Sequence, residues 1–558
     1  MTPALLLAAS LLLFLSGERR HLVHGHRFTV EEFSRGDFPE GFVFGSGTSA
    51  YQYEGAAAKD GRAPTLWDIY VHSGKYDKGT GDVAADGYHK YKEDIKLASE
   101  TGLEAYHFSI SWSRLLPGGR GKPNPKAVEY YNNVINELLK YGIQPHVTLH
   151  HMDLPLKFEE EYGAWLSPKI IDDFREYAEV CFREFGDRVT YWTTISEPNI
   201  YAMDSYDQGR FPPNRCSYPF GEHCEEGDST VEPYLAVHHM LLSHSAAVKV
   251  YRTKYLATQK GKIGCNVYTL WPNPFTNSTE DKLAARRVLD FMPGWIIHPV
   301  VFGDYTEIMR KHAGTRLPTF TESESQELKG SFDFLGVNYY FSTYVADNPN
   351  ASKMIRPPSY IPNNPEGLVN MIEHIKNTYG NPPIYIQENG CGLGMNDTLN
   401  DTWRIAYIRD HIGSILEAIR DGSDVMGYFT WSFVDLFELL SGFKSQFGLY
   451  HVNFTDEKLE RLPKLSAYWY TNFLKNGSVI RYKKAGGKPA ARLRNRKQEI
   501  VAGFLSRKEL SHFAHICKTP QKPVVFIPFV FDLSSFLLRI PVADANRKPS
   551  FRRSDLER

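Results

Sequence analysis

The sequence predicts an α/β protein built as a (β/α)8 TIM barrel, a single large catalytic domain, and three observations carry that prediction. Eight short β-prone runs alternate with amphipathic helical stretches. No glycine-rich phosphate loop follows the first run, which tells against an open doubly wound sheet. Acids, aromatics, amides and imidazoles gather where the runs end, which is where a parallel barrel keeps its chemistry.

The strand candidates are, in order, FVFGSGTS, AYHFSISW, PHVTLHH, VTYWTTIS, KIGCNVYTLW, FDFLGVNYYF, PPIYIQEN and VMGYFTWSF. Between them lie helical patterns such as AVEYYNNVINELLKYG, with apolar residues three and four apart and a closing glycine. IIDDFREYAEVCFREFG and TWRIAYIRDHIGSILEAIRDG follow the same rule. Reading the strand ends gives Gln52 and Glu54 after the first strand, and His150, His151 and Asp153 after the third. Glu197 follows the fourth, Tyr339 and Tyr340 the sixth, and Glu388 the seventh. Trp431, Asp435 and Glu438 follow the eighth. Such a ring suits a sugar, whose C–H faces stack on aromatics and whose hydroxyls need donors and acceptors. His150 and His151 are adjacent, so in a strand they point to opposite faces and do not make a metal pair.

The stretch WTTISEPN sets Glu197 at the end of an apolar strand, just before a proline that cannot continue the ladder. An acid there is costly unless it is paired or in use. Glu388 ends strand seven, roughly across the barrel. Paired carboxylates flanking a scissile bond are the machinery of glycoside hydrolysis, and a spacing near 5 Å gives retention.

The 558 residues carry a net charge of −1 that hides an asymmetry. From Ser478 onward there are 18 Lys and Arg against 6 Asp and Glu, leaving an acidic body that suits nucleic acid poorly. The N-terminal run Ala4–Ser16 has signal-peptide length and is too short to span a bilayer, so residues 1–25 are read as a leader. Six sequons, at Asn277, Asn350, Asn396, Asn400, Asn453 and Asn476, fit a secreted or vacuolar glycoprotein. Cys216 and Cys224, in RCSYPFGEHC, suit a local disulfide, whereas Cys181, Cys265, Cys391 and Cys517 show no metal spacing and read as free thiols. Residues 478–558 read as a poorly ordered basic extension.

Several linked motifs resemble glycoside hydrolase family 1, of the plant β-glucosidase type. TISEPN is similar to T-[FIL]-N-E-P and YIQENG to I-x-E-N-G, and SAYQYEG, YHFSISWSRLLP, HHMDLP, LGVNYY, WSFVDLFELLSGF and QFGLY follow in order. The resemblance covers about residues 38–477. It implies a (β/α)8 barrel, no cofactor or metal, and hydrolysis of small β-D-glucosides through a covalent glycosyl-enzyme. It implies Glu388 as nucleophile and Glu197 as acid/base, the latter unlike thioglucosidases, which carry Gln there. Gln52, His151 and Glu438 would hold sugar hydroxyls, Tyr340 would bond the nucleophile, Trp431 would form a floor, and Phe447 would flank the C6 end.

Four positions depart from the pattern. Ser196 replaces an Asn that meets the sugar 2-hydroxyl. His107 replaces an Arg near the nucleophile, so a charge dependent on low pH is expected there, with activity favoured in an acidic compartment. Met152 and Leu439 replace aromatics but keep an apolar wall. The loop from Ser342 to Asn363 is shorter than usual. A transglucosidase, and a catalytically impaired glycoside-binding homologue, are the competing expectations.

Overall fold

The computed structural model describes residues 19–23, 26–221, 224–348, 361–394, 399–484 and 530–531. Cys517, the sequons at Asn350 and Asn396 and all of the leader except Arg19–Val23 lie outside the described residues, as do most of the extension and of the Ser342–Asn363 loop.

Two compact units divide the chain. The larger contains eight parallel strands: β1 Val43–Gly47, β2 Ala105–Ser109, β3 Gln144–His150, β4 Tyr191–Ile195, β5 Lys262–Pro274, β6 Phe334–Val345, β7 Ile384–Asn389 and β8 Val425–Trp431. Each pairs with its neighbours in sequence, β8 pairs back to β1, and the sheet is a closed barrel. All eight sit inside the eight candidate runs or overlap them. β5 and β6 run on past the candidates, to Pro274 and Val345, because they stay paired to each other beyond a register shift between Thr269 and Trp271. Val530–Phe531 adds a short parallel pairing to the outer end of β6.

The connections supply the helical jacket. The principal helices are α1 Gly87–Thr101, α2 Pro125–Lys140, α3 Lys169–Phe185, α4 Pro198–Tyr206, α5 Glu232–Val250, α6 Thr279–Phe291, α7 Pro365–Tyr379, α8 Thr402–Arg420 and α9 Leu465–Leu474. Helix α2 shows why these segments fold so. Asn124 caps it, its Oδ1 accepting from the Lys126 N–H at 3.1 Å, and Pro125 takes the first helical position, where a missing N–H costs nothing. Its buried face is Ala127, Tyr130, Tyr131, Val134, Ile135 and Leu138, at three- and four-residue spacing.

The barrel floor is apolar and aromatic. Ala105, Phe334, Tyr385 and Phe429 pack together with Val43, Tyr191 and Met426, and all but Phe429 are the first or second residues of their strands. His146 lies flat on Tyr191, with ring centroids 4.4 Å apart. This plug leaves the C-terminal ends of the strands as the open, polar end of the lumen.

The smaller unit holds a three-stranded antiparallel sheet of Arg19–Val23, His26–Phe33 and Val479–Lys484. Val479–Lys484, at the start of the region read as a basic extension, pairs with His26–Phe33.

Candidate active site

Strand β4 stops at Ile195 and α4 starts at Pro198. Glu197 bridges them in the left-handed region, at φ 50°, ψ 50°, where few non-glycine residues sit. The surroundings hold it there. Its backbone N–H donates to Asn266 Oδ1 at 3.2 Å, and its Oε1 accepts from Asn338 Nδ2 at 2.7 Å. Two residues on, Asn199 mimics a strand. Its amide donates to the carbonyls of Tyr268 at 2.9 Å and Met292 at 3.2 Å, and it accepts from the Tyr268 N–H at 3.2 Å. That clasp pins the start of α4 to β5.

Glu388 comes from β7, whose register against β6 slips by one residue between Ile386 and Glu388. Its Oε2 accepts from the Tyr340 hydroxyl at 2.7 Å, while Oε1 is buried with no hydrogen-bond partner. Tyr340 stacks against Tyr268, and its backbone oxygen accepts from Tyr407 at 2.5 Å. Phe447 meets the edge of Tyr340 at 6.2 Å. The buried Arg404 holds the Phe447 loop by donating to the carbonyls of Phe447, Gln446 and Cys391.

A second group faces this pair. Trp431 Nε1 donates to Glu438 Oε1 at 3.2 Å, and Gln52 Nε2 reaches Glu438 Oε2 at 3.5 Å. The Gln52 Oε1 accepts from Ser49 at 2.6 Å, which sets the orientation of the amide. His151 lies nearly parallel to Trp431, 14° between planes. The structure thus brings together Glu197, Glu388, Tyr340, Phe447, Gln52, His151, Trp431 and Glu438. Ser196 is beside them, 1% exposed, and its hydroxyl has no partner. Met152 and Leu439 are buried and apolar.

Other strand-end residues serve the scaffold instead. Glu54 pairs with Arg114 and accepts from Tyr131, both at 2.8 Å. Asp435 is held by Lys464 at 2.6 Å and His451 at 3.0 Å. Tyr339 turns outward to the Asn364 carbonyl. His150 points away from His151, as adjacent strand residues must, and its ring lies against Trp165 and Tyr201. Asp153 is buried too, under the opposing fields of Arg62 and Glu54.

Burial governs the electrostatics. It pushes Glu197 up to about 7, with Asn338 opposing the shift. Burial and the Glu197 charge push Glu388 well above the usual carboxylate range, against the stabilising Tyr340 hydroxyl. Glu438 is pushed up to about 8 by burial. Both carboxyls are therefore held above the usual carboxylate range, burial being the first cause for each.

His107 corrects a sequence expectation. Its Nε2 sits 2.6 Å from Thr148 Oγ1, and burial pushes its pKa down to about 4, against a weaker pull from the Gln387 carbonyl. The ring is neutral in any mildly acidic compartment, so it is no low-pH substitute for a fixed cation. The expected charge on His107 at mildly acidic pH is therefore not met.

Sequence reasoning missed Thr193, Asn266, Asn338, Gln387 and Asn199. Three of them lie inside quoted motifs, Asn199 in TISEPN, Asn338 in LGVNYY and Gln387 in YIQENG. Alternation would have put Asn338 on the same face as Tyr340.

The sequence profile described as Glycosyl hydrolase family 1 matches residues 34–478. The chain belongs to glycosyl hydrolase family 1. It is a glycoside hydrolase with the eight-stranded barrel of that family. Among family 1 relatives, β-glucosidase 21 of Oryza sativa subsp. japonica is 53% identical over 505 residues, covering 86% of this chain and 98% of its own. A cyanidin 3-O-glucoside 7-O-glucosyltransferase (acyl-glucose) of Delphinium grandiflorum is 54% identical over 457 residues, covering 79% and 90%. Among solved family 1 structures, a mutant of rice Os3BGlu6 β-glucosidase in a covalent complex with Glc from GA4GE aligns at a TM-score of 0.76. It is 42% identical, over 79% of this chain and 99% of that one. Cys216 and Cys224 form the expected disulfide, and Cys181, Cys265 and Cys391 are buried and free.

Proposed function

We propose that this chain is a retaining β-glucosidase, releasing terminal β-D-glucosyl residues from small β-D-glucosides through a glycosyl-enzyme on Glu388. The observation that carries the reading is the unlike setting of the two carboxylates. Glu388 keeps one buried oxygen free of partners and the other on a tyrosine hydroxyl, as a nucleophile needs. Glu197 is held near 7, poised to give a proton to the leaving oxygen and later to take one from water. Gln52, His151 and Glu438 supply sugar-hydroxyl partners on the facing side, with Trp431 as the floor. Glu197, and not Gln, at the acid/base position favours O-glycosides. Hydrolysis of p-nitrophenyl β-D-glucoside followed by NMR tests this directly: β-glucose appearing first supports retention, and α-glucose first contradicts it.

A second reading rests on the Delphinium relative, an acyl-glucose-type glucosyltransferase. An acceptor hydroxyl attacking the same intermediate needs the same two glutamates. The apolar run Ala4–Ser16, the sequons and the disulfide favour passage through the secretory pathway, to the vacuole or the cell exterior. A fluorescent fusion lacking residues 1–25 that still reached either place would contradict this.

A further inference from the structure

The lumen holds a belt of side-chain amides that crosses four neighbouring strands and ends on Glu197. Gln387 Nε2, on β7, donates to Thr193 Oγ1, on β4, at 2.8 Å. Asn266 Nδ2, on β5, donates both its hydrogens, to Gln387 Oε1 at 2.8 Å and to Asn338 Oδ1 at 2.7 Å. Asn338 Nδ2, on β6, donates to Glu197 Oε1 at 2.7 Å. Every member is at most 2% exposed.

The polarity of this belt has one solution. The Glu197 backbone N–H is a donor, so Asn266 must turn its oxygen toward it. The Asn266 nitrogen then faces Gln387 and Asn338, and both must answer with oxygen. Asn338 is left with N–H groups toward the glutamate, and Gln387 with N–H groups toward Thr193. One backbone N–H therefore dictates which side of each amide points where. The chemical result is that Glu197 Oε1 is always offered a donor and never an acceptor. Its proton must sit on Oε2.

The register shift in β7 makes this possible. Gln387 and Glu388 are consecutive, and a regular strand would send them to opposite faces. The extra residue against β6 lets both enter the lumen. Space is set aside for it as well. A Cβ at Gly336 would meet Gln387 Oε1.

We propose that Thr193, Asn266 and Gln387 are positioning residues for the acid/base step, fixing through Asn338 which oxygen of Glu197 carries the proton. They reach the site through Asn338, whose amide donates to Glu197 Oε1 and also favours the charged form of Glu388. The proposal rests on the assignment of Glu197 as acid/base, and its test separates the two. Gln387→Met keeps the volume but removes the link to Asn266 and Thr193. Thr193→Val removes only the far acceptor and serves if the first variant does not fold. Active enzyme is counted by titration with 2-deoxy-2-fluoro-β-D-glucosyl fluoride. For each protein, kcat/KM is measured on an alkyl β-glucoside, whose leaving group needs a proton, and on 2,4-dinitrophenyl β-glucoside, whose leaving group does not.

The expected result is that the ratio of the second kcat/KM to the first rises about tenfold or more, since general acid catalysis is worth roughly 10²–10⁴. The alkaline limb of the alkyl-glucoside profile also moves upward, because the charged form of Glu197 loses an ordered donor. A merely structural belt would lower both substrates by one factor and leave the limb in place, and that result overturns the proposal. No change in either substrate overturns it too. If the wild-type protein hydrolysed neither glucoside, the acid/base assignment itself would fail.

Discussion

The unpartnered hydroxyl of Ser196 is where the chemistry of this chain departs furthest from its family at the scale of single residues. It sits one position before the acid/base, buried and unbonded. A contact to the sugar 2-hydroxyl strengthens as the transition state forms, so its loss lowers the rate more than the affinity. Ser196→Asn is expected to raise kcat/KM on β-glucosides about tenfold, the worth of roughly one good hydrogen bond. The same change should leave 2-deoxyglucosides unaffected, and equal gains on both substrates would refute the role. At this scale the two glutamates were legible in the sequence, because each stands in a motif at the end of a strand. The charge of His107 was not. Its identity suggested a group titrating near 6.5, but enclosure decides the matter and holds it near 4. The amide belt was invisible for another reason, since the register shift that turns Gln387 inward leaves no mark in composition or period.

At the scale of elements, the turn between β4 and α4 joins a left-handed backbone to the candidate acid/base. Glu197 adopts a left-handed backbone that costs on the order of 1 kcal/mol or more, and neighbouring elements must over-determine it. Asn199 is the main clasp, replacing a stretch of ladder with its own amide. Asn199→Ala strands the Tyr268 N–H and the Tyr268 and Met292 carbonyls beside a buried side chain, and is expected to cost about 3 kcal/mol in a denaturant melt. It should also lower kcat on alkyl glucosides more than on dinitrophenyl glucoside, because the proton donor loses its aim. A stable, fully active variant would show that the β4–α4 turn is held elsewhere. The strands themselves were readable, being apolar and β-branched runs closed by proline, glycine or a helix start. Their lengths were less so. The extra residues of β5 and β6 exist only because the two strands stay paired to each other beyond the register shift.

Across the whole molecule, buried titratable groups pull stability in two directions. Glu159 and Glu197 are held near 7 and Glu438 near 8, each chiefly by burial. The folded chain keeps those protons after the unfolded chain has released its own near 4.5, so this stabilisation is lost as pH rises from 4.5 to about 8. His107, His238 and His244 are held near 4 and His150 and His151 near 3, again chiefly by burial. Unfolding lets each take up a proton below 6.5, so their stabilisation is lost as pH falls from 6.5 toward 3. The two sets oppose each other between those limits. The melting temperature is therefore expected to peak between about pH 5 and 6.5 and to fall on both sides. Glu438→Gln should raise it by about 2 °C at pH 7.5 and not at pH 4.5. A melting temperature that climbs steadily to pH 8 would contradict this balance. The barrel was legible from the order of its runs, and the match to the family profile spans nearly the whole of the larger unit. The central claim is that Glu388 becomes covalently glucosylated, and one measurement reaches it. The protein is incubated with 2-deoxy-2-fluoro-β-D-glucosyl fluoride, digested, and its peptides weighed. One fluoroglucosyl adduct is expected, on the peptide that contains Glu388. An unlabelled protein that still binds the sugar, or an adduct on any other residue, would contradict it.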